Sequence, residues 1–87
     1  MKFYVYAIKN GLGKIYVGHT NDLKQRIDRH NNLLPHKKLS YTYKNGGSWE
    51  LVYKEEYLNH QEAMTREKQL KSYQGRLFIK NIINNRP

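Results

Sequence analysis

Two runs with the character of β-strands lie so close together that only one arrangement is open to them. FYVYAI at residues 3–8 and KIYVG at 14–18 are rich in β-branched and aromatic side chains. Between them stands KNGLGK, whose asparagine and two glycines suit a tight turn. Parallel pairing needs a crossover of a dozen or more residues, so these runs must form an antiparallel hairpin. Everything that follows has to pack on it.

The rest of the chain supplies that packing. TNDLKQRIDRHNN predicts a first helix, with Thr20 or Asn21 as cap, Asp22 in the first turn, and Asn31 and Asn32 at the end. Residues 33–48, LLPHKKLSYTYKNGGS, hold Pro35, Gly46 and Gly47 without periodicity and read as a long basic loop. WELVYKEEY at 49–57 sets Trp49, Leu51 and Tyr53 against Glu50, Val52 and Lys54, the alternation of a third strand. NHQEAMTREKQLKSY predicts a second helix capped by Asn59. Gly75 separates it from a last short helix, RLFIKNII, anchored by Leu77, Phe78, Ile79, Ile82 and Ile83. The expected fold is α+β: a small three-stranded antiparallel sheet with flanking helices, order β-β-α-β-α-α.

Eighty-seven residues leave room for a single domain, 1–87, with a small core that eight tyrosines, two phenylalanines and one tryptophan help to close. The absence of cysteine removes disulfides and thiolate metal sites. No stretch approaches the length of a membrane span, and the apolar run at the N-terminus is too short for a signal peptide. A soluble, cytoplasmic protein is expected. Sixteen Lys and Arg against seven Asp and Glu give a charge of +9, a field that favours polyanions. The basic helix lacks the broad Trp/Phe/Leu face of a membrane-surface helix, which favours nucleic acid over a membrane, while a basic surface that serves only solubility stays open.

Three polar residues fall on arcs that should face inward. In the first helix Leu23, Arg26, Ile27 and His30 share one side. In the second, Ala63, Met64 and Leu70 mark the inner arc with Glu67 in its middle. A carboxylate there needs an ion pair, for example with Lys71 one turn on, or a metal. Arg26 and His30 can equally be a snorkelling cation and a satisfied boundary histidine. Tyr4 and Tyr6 share a strand face. If that face looks toward Arg26 and Glu67, a phenol, a guanidinium, an imidazole and a carboxylate converge. Such a set suits phosphodiester cleavage: the carboxylate for Mg²⁺, the arginine for phosphate charge, the phenol or imidazole for the nucleophile's proton.

From about residue 3 to residue 80, the succession YVY at 4–6, YVG at 16–18, TNDLKQRIDRHN and EAMTREKQLKSY resembles the GIY-YIG nuclease superfamily, and most closely its small single-domain members. The resemblance implies that Tyr6 and Tyr16 lie near the attacking water and the scissile phosphate. It implies that Arg26 contacts the phosphate, that His30 transfers a proton and that Glu67 holds one Mg²⁺ or Mn²⁺. The implied reaction is one-metal hydrolysis of DNA, with RNA also open, leaving a 5′-phosphate and a 3′-hydroxyl. The first triplet lacks the leading glycine, and Val17 replaces isoleucine. His19 stands where other members place lysine, serine or another small polar residue. Asn81, with Asn84 behind it, is the best-placed counterpart of an asparagine that many members carry on the last helix. His19, Lys37, Lys38, Lys44, Lys71 and Asn81 are the candidate nucleic-acid contacts. Family nucleases usually join this domain to a DNA-binding module, so a homodimer or a separate targeting protein is a candidate partner. Two other readings stay open: a non-catalytic nucleic-acid-binding module that keeps the fold, and a small structural or interaction protein whose charge serves solubility.

Overall fold

A computed structural model describes residues 1–31 and 48–85. Within it the chain runs β1 (Phe3–Asn10), β2 (Ile15–Thr20), α1 (Leu23–His30), β3 (Trp49–Tyr57), α2 (His60–Leu70) and α3 (Tyr73–Asn84). The three strands form one antiparallel sheet in the order β2-β1-β3, which is the expected α+β architecture. Lys37, Lys38, Lys44 and the rest of the basic stretch expected as a loop, apart from Ser48, lie outside the described residues.

The hairpin closes as its turn residues dictate. Asn10 is buried, and its side-chain oxygen accepts the backbone N–H groups of Leu12 at 3.0 Å and Lys14 at 2.9 Å. Gly13 adopts φ 82°, a conformation that favours glycine. β1 is thereby the middle strand and is covered on both sides: Val5, Tyr6, Ala7 and Ile8 are all fully buried.

Its alternating side chains divide the core in two. Val5 and Ala7 pack with Val17, Ala63, Leu70 and Ile79 beneath α2 and α3. Tyr6 and Ile8 pack with Trp49, Tyr16, Leu23 and Ile27 beneath α1. Each buried aliphatic side chain contributes about 1.5–3 kcal/mol relative to exposure.

The third strand departs from simple alternation. Ala7 is opposite Tyr53 and Ile8 opposite Leu51, so Val52 is an extra residue, a β-bulge. Trp49 and Leu51 therefore join the α1 side of the core, while Tyr53 joins the α2 side. The single apolar face expected for Trp49, Leu51 and Tyr53 is split by that one residue.

The helix boundaries also shift. Asp22, rather than Thr20 or Asn21, caps α1 by accepting from Gln25 N–H at 3.0 Å, and Thr20 Oγ in turn accepts from Asp22 N–H. Asn59 caps α2 as expected. Gly75 does not separate the last two helices. α2 ends at Leu70, Ser72 caps α3, and Gly75 lies in the first turn of α3 with Ser72 Oγ accepting from its N–H. Its role is steric: a Cβ here would stand 2.3 Å from Gln69 O and 2.4 Å from Leu70 Cα. Of the expected anchors, Ile79 is buried, whereas Leu77 and Phe78 are exposed, as is Met64 on α2. At the far end of α1, the Asn31 side-chain amide donates to Trp49 O at 3.0 Å and accepts from Trp49 N–H.

Candidate active site

The α1 face of the sheet carries the first half of the site. Tyr6 is opposite Gly18 across the hairpin, and Tyr16 is opposite Ile8, so both rings lie under α1. Gly18 makes room for them: a Cβ there would be 2.7 Å from Tyr6 Oη and 3.0 Å from Tyr16 Cε2. α1 turns Arg26 and His30 into the same space, as its periodicity predicts.

A directed chain of hydrogen bonds links these residues. Arg26 Nε–H donates to Tyr6 Oη at 3.2 Å, and Tyr6 Oη lies 2.8 Å from His30 Nε2. Arginine cannot accept, so the phenol proton points to His30 Nε2, and a neutral His30 carries its proton on Nδ1. Tyr16 stands against the same imidazole, with ring centroids 4.9 Å apart, and also contacts Arg26. Burial pushes the Tyr6 phenol well above its ordinary value despite the Arg26 bond, so it is protonated at neutral pH. Burial also works against the charge of Arg26, but the tyrosine contacts outweigh it and keep the guanidinium cationic.

The second half comes from α2 on the other face. His19 and Glu55 flank Val5 from the two outer strands. Consecutive residues of α2 reach down to them: Glu67 to His19 Nδ1, and Arg66 to both carboxylate oxygens of Glu55, at 2.9 and 3.2 Å from Nε. These two clamps straddle the central strand and fix the rotation of α2. Tyr53 and Tyr57 also donate to Glu55.

Glu67 is mostly covered, with 19% of its side chain exposed, and Lys71 Nζ lies 2.9 Å from its Oε2. Burial alone would raise its carboxyl. The bonds from His19 and Lys71 outweigh that and hold it below the ordinary carboxylate value, so it is charged. Lys71 connects the two halves, its Nζ also 6.0 Å from the centre of the Tyr16 ring.

The structure thus brings Tyr6, Tyr16, Arg26 and His30 into mutual contact and places Glu67 beside them through Lys71. His19 and Lys71, expected as nucleic-acid contacts, are partners of Glu67. Asn81 is exposed on α3, and no hydrogen bond ties its side chain to these groups among the described residues. Sequence reasoning missed His60. Its Nε2 lies 3.2 Å from His19 Nε2 and its ring stacks on Phe3, so it extends the chain from Glu67. Only the pairing of β2 with the start of α2 reveals it.

Among the described residues no three His, Cys, Asp or Glu side chains gather as a metal cage. A single charged carboxylate still fits Mg²⁺, which is bound through one or two carboxylates and keeps several waters. No helix among the described residues is long and apolar enough to cross a membrane.

A tyrosine-bearing hairpin faced by an Arg–His helix, with a glutamate on the following helix, is the arrangement the resemblance predicts for a small nuclease-type domain. The model of the family described as the GIY-YIG catalytic domain matches residues 2–81, and the chain belongs to this nuclease family. It is 37% identical to a UPF0213 protein of Staphylococcus epidermidis over 81 residues, 93% of this chain and 94% of that one. A UPF0213 protein of Staphylococcus saprophyticus is 33% identical over the same shares. Among solved structures, the solution NMR structure of the UPF0213 protein BH0048 from Bacillus halodurans matches with a TM-score of 0.55. It is 26% identical, and the match covers 94% of this chain and 85% of that one.

Proposed function

We propose that the chain is a divalent-metal-dependent endonuclease that hydrolyses phosphodiester bonds in DNA by a one-metal mechanism. The observation that carries this reading is the chain Arg26–Tyr6–His30, set against Tyr16 and flanked by a charged Glu67. Mg²⁺ or Mn²⁺ held by Glu67 and retained waters would supply charge neutralisation at the phosphate. The protein's own groups do the rest.

Tyr6 is fully buried and protonated, so it is a positioning residue. It holds the guanidinium of Arg26 through Nε and sets the tautomer of His30. Arg26, kept cationic, stabilises charge on the phosphate oxygens. Tyr16 is only half-buried and orients the attacking water. His30, ordered by the Tyr6 hydroxyl and packed against Tyr16, is the group that would take up the proton given up by the attacking water.

One observation favours a second reading, a nucleic-acid-binding module without turnover: both carboxylate oxygens of Glu67 are already engaged, by His19 and by Lys71. Metal binding has to compete with those contacts. Cleavage of plasmid and branched DNA with Mg²⁺ or Mn²⁺, comparing wild type with Glu67→Ala and Arg26→Ala, decides between them. Metal-dependent nicking lost in both variants supports the nuclease. Salt-sensitive binding with no cleavage on any of these substrates supports the binding module, and nicking that survives both substitutions overturns the assigned roles.

A further inference from the structure

Along the open edge of β2 runs a groove of about 580 Å³, lined by Lys14, Tyr16, Lys71, Arg76 and Lys80 over an apolar floor that includes Ile79. We propose that this groove holds the sugar-phosphate backbone of one DNA strand next to the phosphate being cut. The proposal rests on the nuclease reading and adds the path of the substrate to it.

Charge carries the argument. Residues 9–20, which form the hairpin tip and β2, contain no Asp or Glu, and neither does α3. Lys14, Arg76 and Lys80 are exposed and make no ion pair among the described residues. Three cations elsewhere are matched, Lys2 with Glu56, Lys24 with Asp28 and Arg66 with Glu55, whereas the groove concentrates unmatched ones. Unmatched cations held around one concave strip repel one another, and a polyanion relieves that repulsion.

Position supports the same partner. Arg76 and Lys80 are four apart on α3 and so share one helix face. Lys14 stands at the start of β2, across the groove from them. Tyr16 and Lys71 belong both to the groove and to the candidate active site, since Lys71 is bonded to Glu67 and Tyr16 contacts Arg26. A strand lying in the groove therefore leads to Glu67. Of the groove's cations the sequence points only to Lys71, because hairpin and α3 are some sixty residues apart and only the packing of α3 beside β2 assembles the strip.

The test is the salt dependence of binding, read by fluorescence anisotropy of a labelled DNA duplex in EDTA, where no cleavage occurs. The groove triple variant Lys14→Gln/Arg76→Gln/Lys80→Gln is compared with Lys2→Gln/Lys24→Gln/Lys54→Gln, which removes equal charge elsewhere. Each lost phosphate contact lowers the slope of log K against log salt by about 0.7–0.9. The groove triple is expected to lose about 2–3 in slope, and the control less than about 1. Equal losses in the two triples overturn the groove. All substituted positions are exposed, and melting curves confirm that both triples fold. The nuclease reading fails separately, if wild type cuts nothing with metal. A groove-specific loss of slope in that case keeps the strand path and removes only the chemistry.

Discussion

Tyr6 and His30, 24 positions apart in the chain, meet through a buried hydrogen bond of 2.8 Å between Oη and Nε2. That contact joins the middle strand to the end of α1 and makes one oxygen responsible for the orientation of both a guanidinium and an imidazole. Tyr6→Phe keeps the ring and removes only that oxygen. It removes the oxygen that Arg26 Nε and His30 Nε2 share, and the loss of these two buried bonds is expected to lower stability by about 1–3 kcal/mol in urea unfolding. Cleavage is expected to fall by about a hundredfold through misplacement of the two groups. A merely structural role would leave the pH–rate profile of the residual activity in place, whereas loss of the His30 tautomer shifts it.

Gly18 guards the same contact from the opposite strand. In Gly18→Ala the new methyl would meet Tyr6 Oη at 2.7 Å and Tyr6 Cζ at 2.9 Å. The tyrosine has to move, so the variant is expected to lose about 1–3 kcal/mol and to reproduce the kinetic defect of Tyr6→Phe. Combining the two substitutions should cost less than the sum of their separate effects, which a double-mutant cycle measures.

Glu55 should make part of the stability depend on pH. Burial raises its carboxyl, but the bonds from Arg66, Tyr53 and Tyr57 outweigh burial and hold it below its ordinary value. A group depressed in the folded state stabilises above its unfolded pKa, about 4.3 for glutamate. That contribution disappears as pH falls through the lower folded value. The Tm advantage of wild type over Glu55→Gln is therefore expected to be full at neutral pH and to shrink as pH falls below about 4. Because Arg66 adjoins Glu67, the variant should also weaken metal-dependent cleavage at neutral pH, and a cleavage assay alongside the melts checks this.

Gly75 offers a test confined to packing. Gly75→Ala would normally favour a helix, yet its methyl would collide with Gln69 O and Leu70 Cα. A loss of about 1–3 kcal/mol is expected, read as a fall in Tm of about 4–8 °C for each kcal/mol.

Local signals in the sequence go far in this chain. The short glycine-bearing turn leaves one topology for the hairpin, and helical periodicity alone turns Arg26 and His30 inward and sets Glu67 among apolar neighbours. What escapes them is decided by contacts between distant segments. Val52 looks like a regular strand residue until its partner Ile8 is seen opposite Leu51. Gly75 looks like a boundary because glycine often is one, whereas here the preceding helix leaves no space for a side chain. Met64 follows the apolar period of α2 but faces solvent, since the Arg66 and Glu67 clamps set the rotation of that helix. The His60–His19 contact depends on β2 and α2 lying side by side, which no local pattern encodes.

The amide of Asn31 pairs with the backbone of Trp49 on both its donor and its acceptor side. The end of α1 is thus tied directly to the first residue of β3. His30, the residue just before Asn31, is therefore held in place from two sides: by the Tyr6 hydroxyl of the middle strand and by the anchoring of its neighbour to β3.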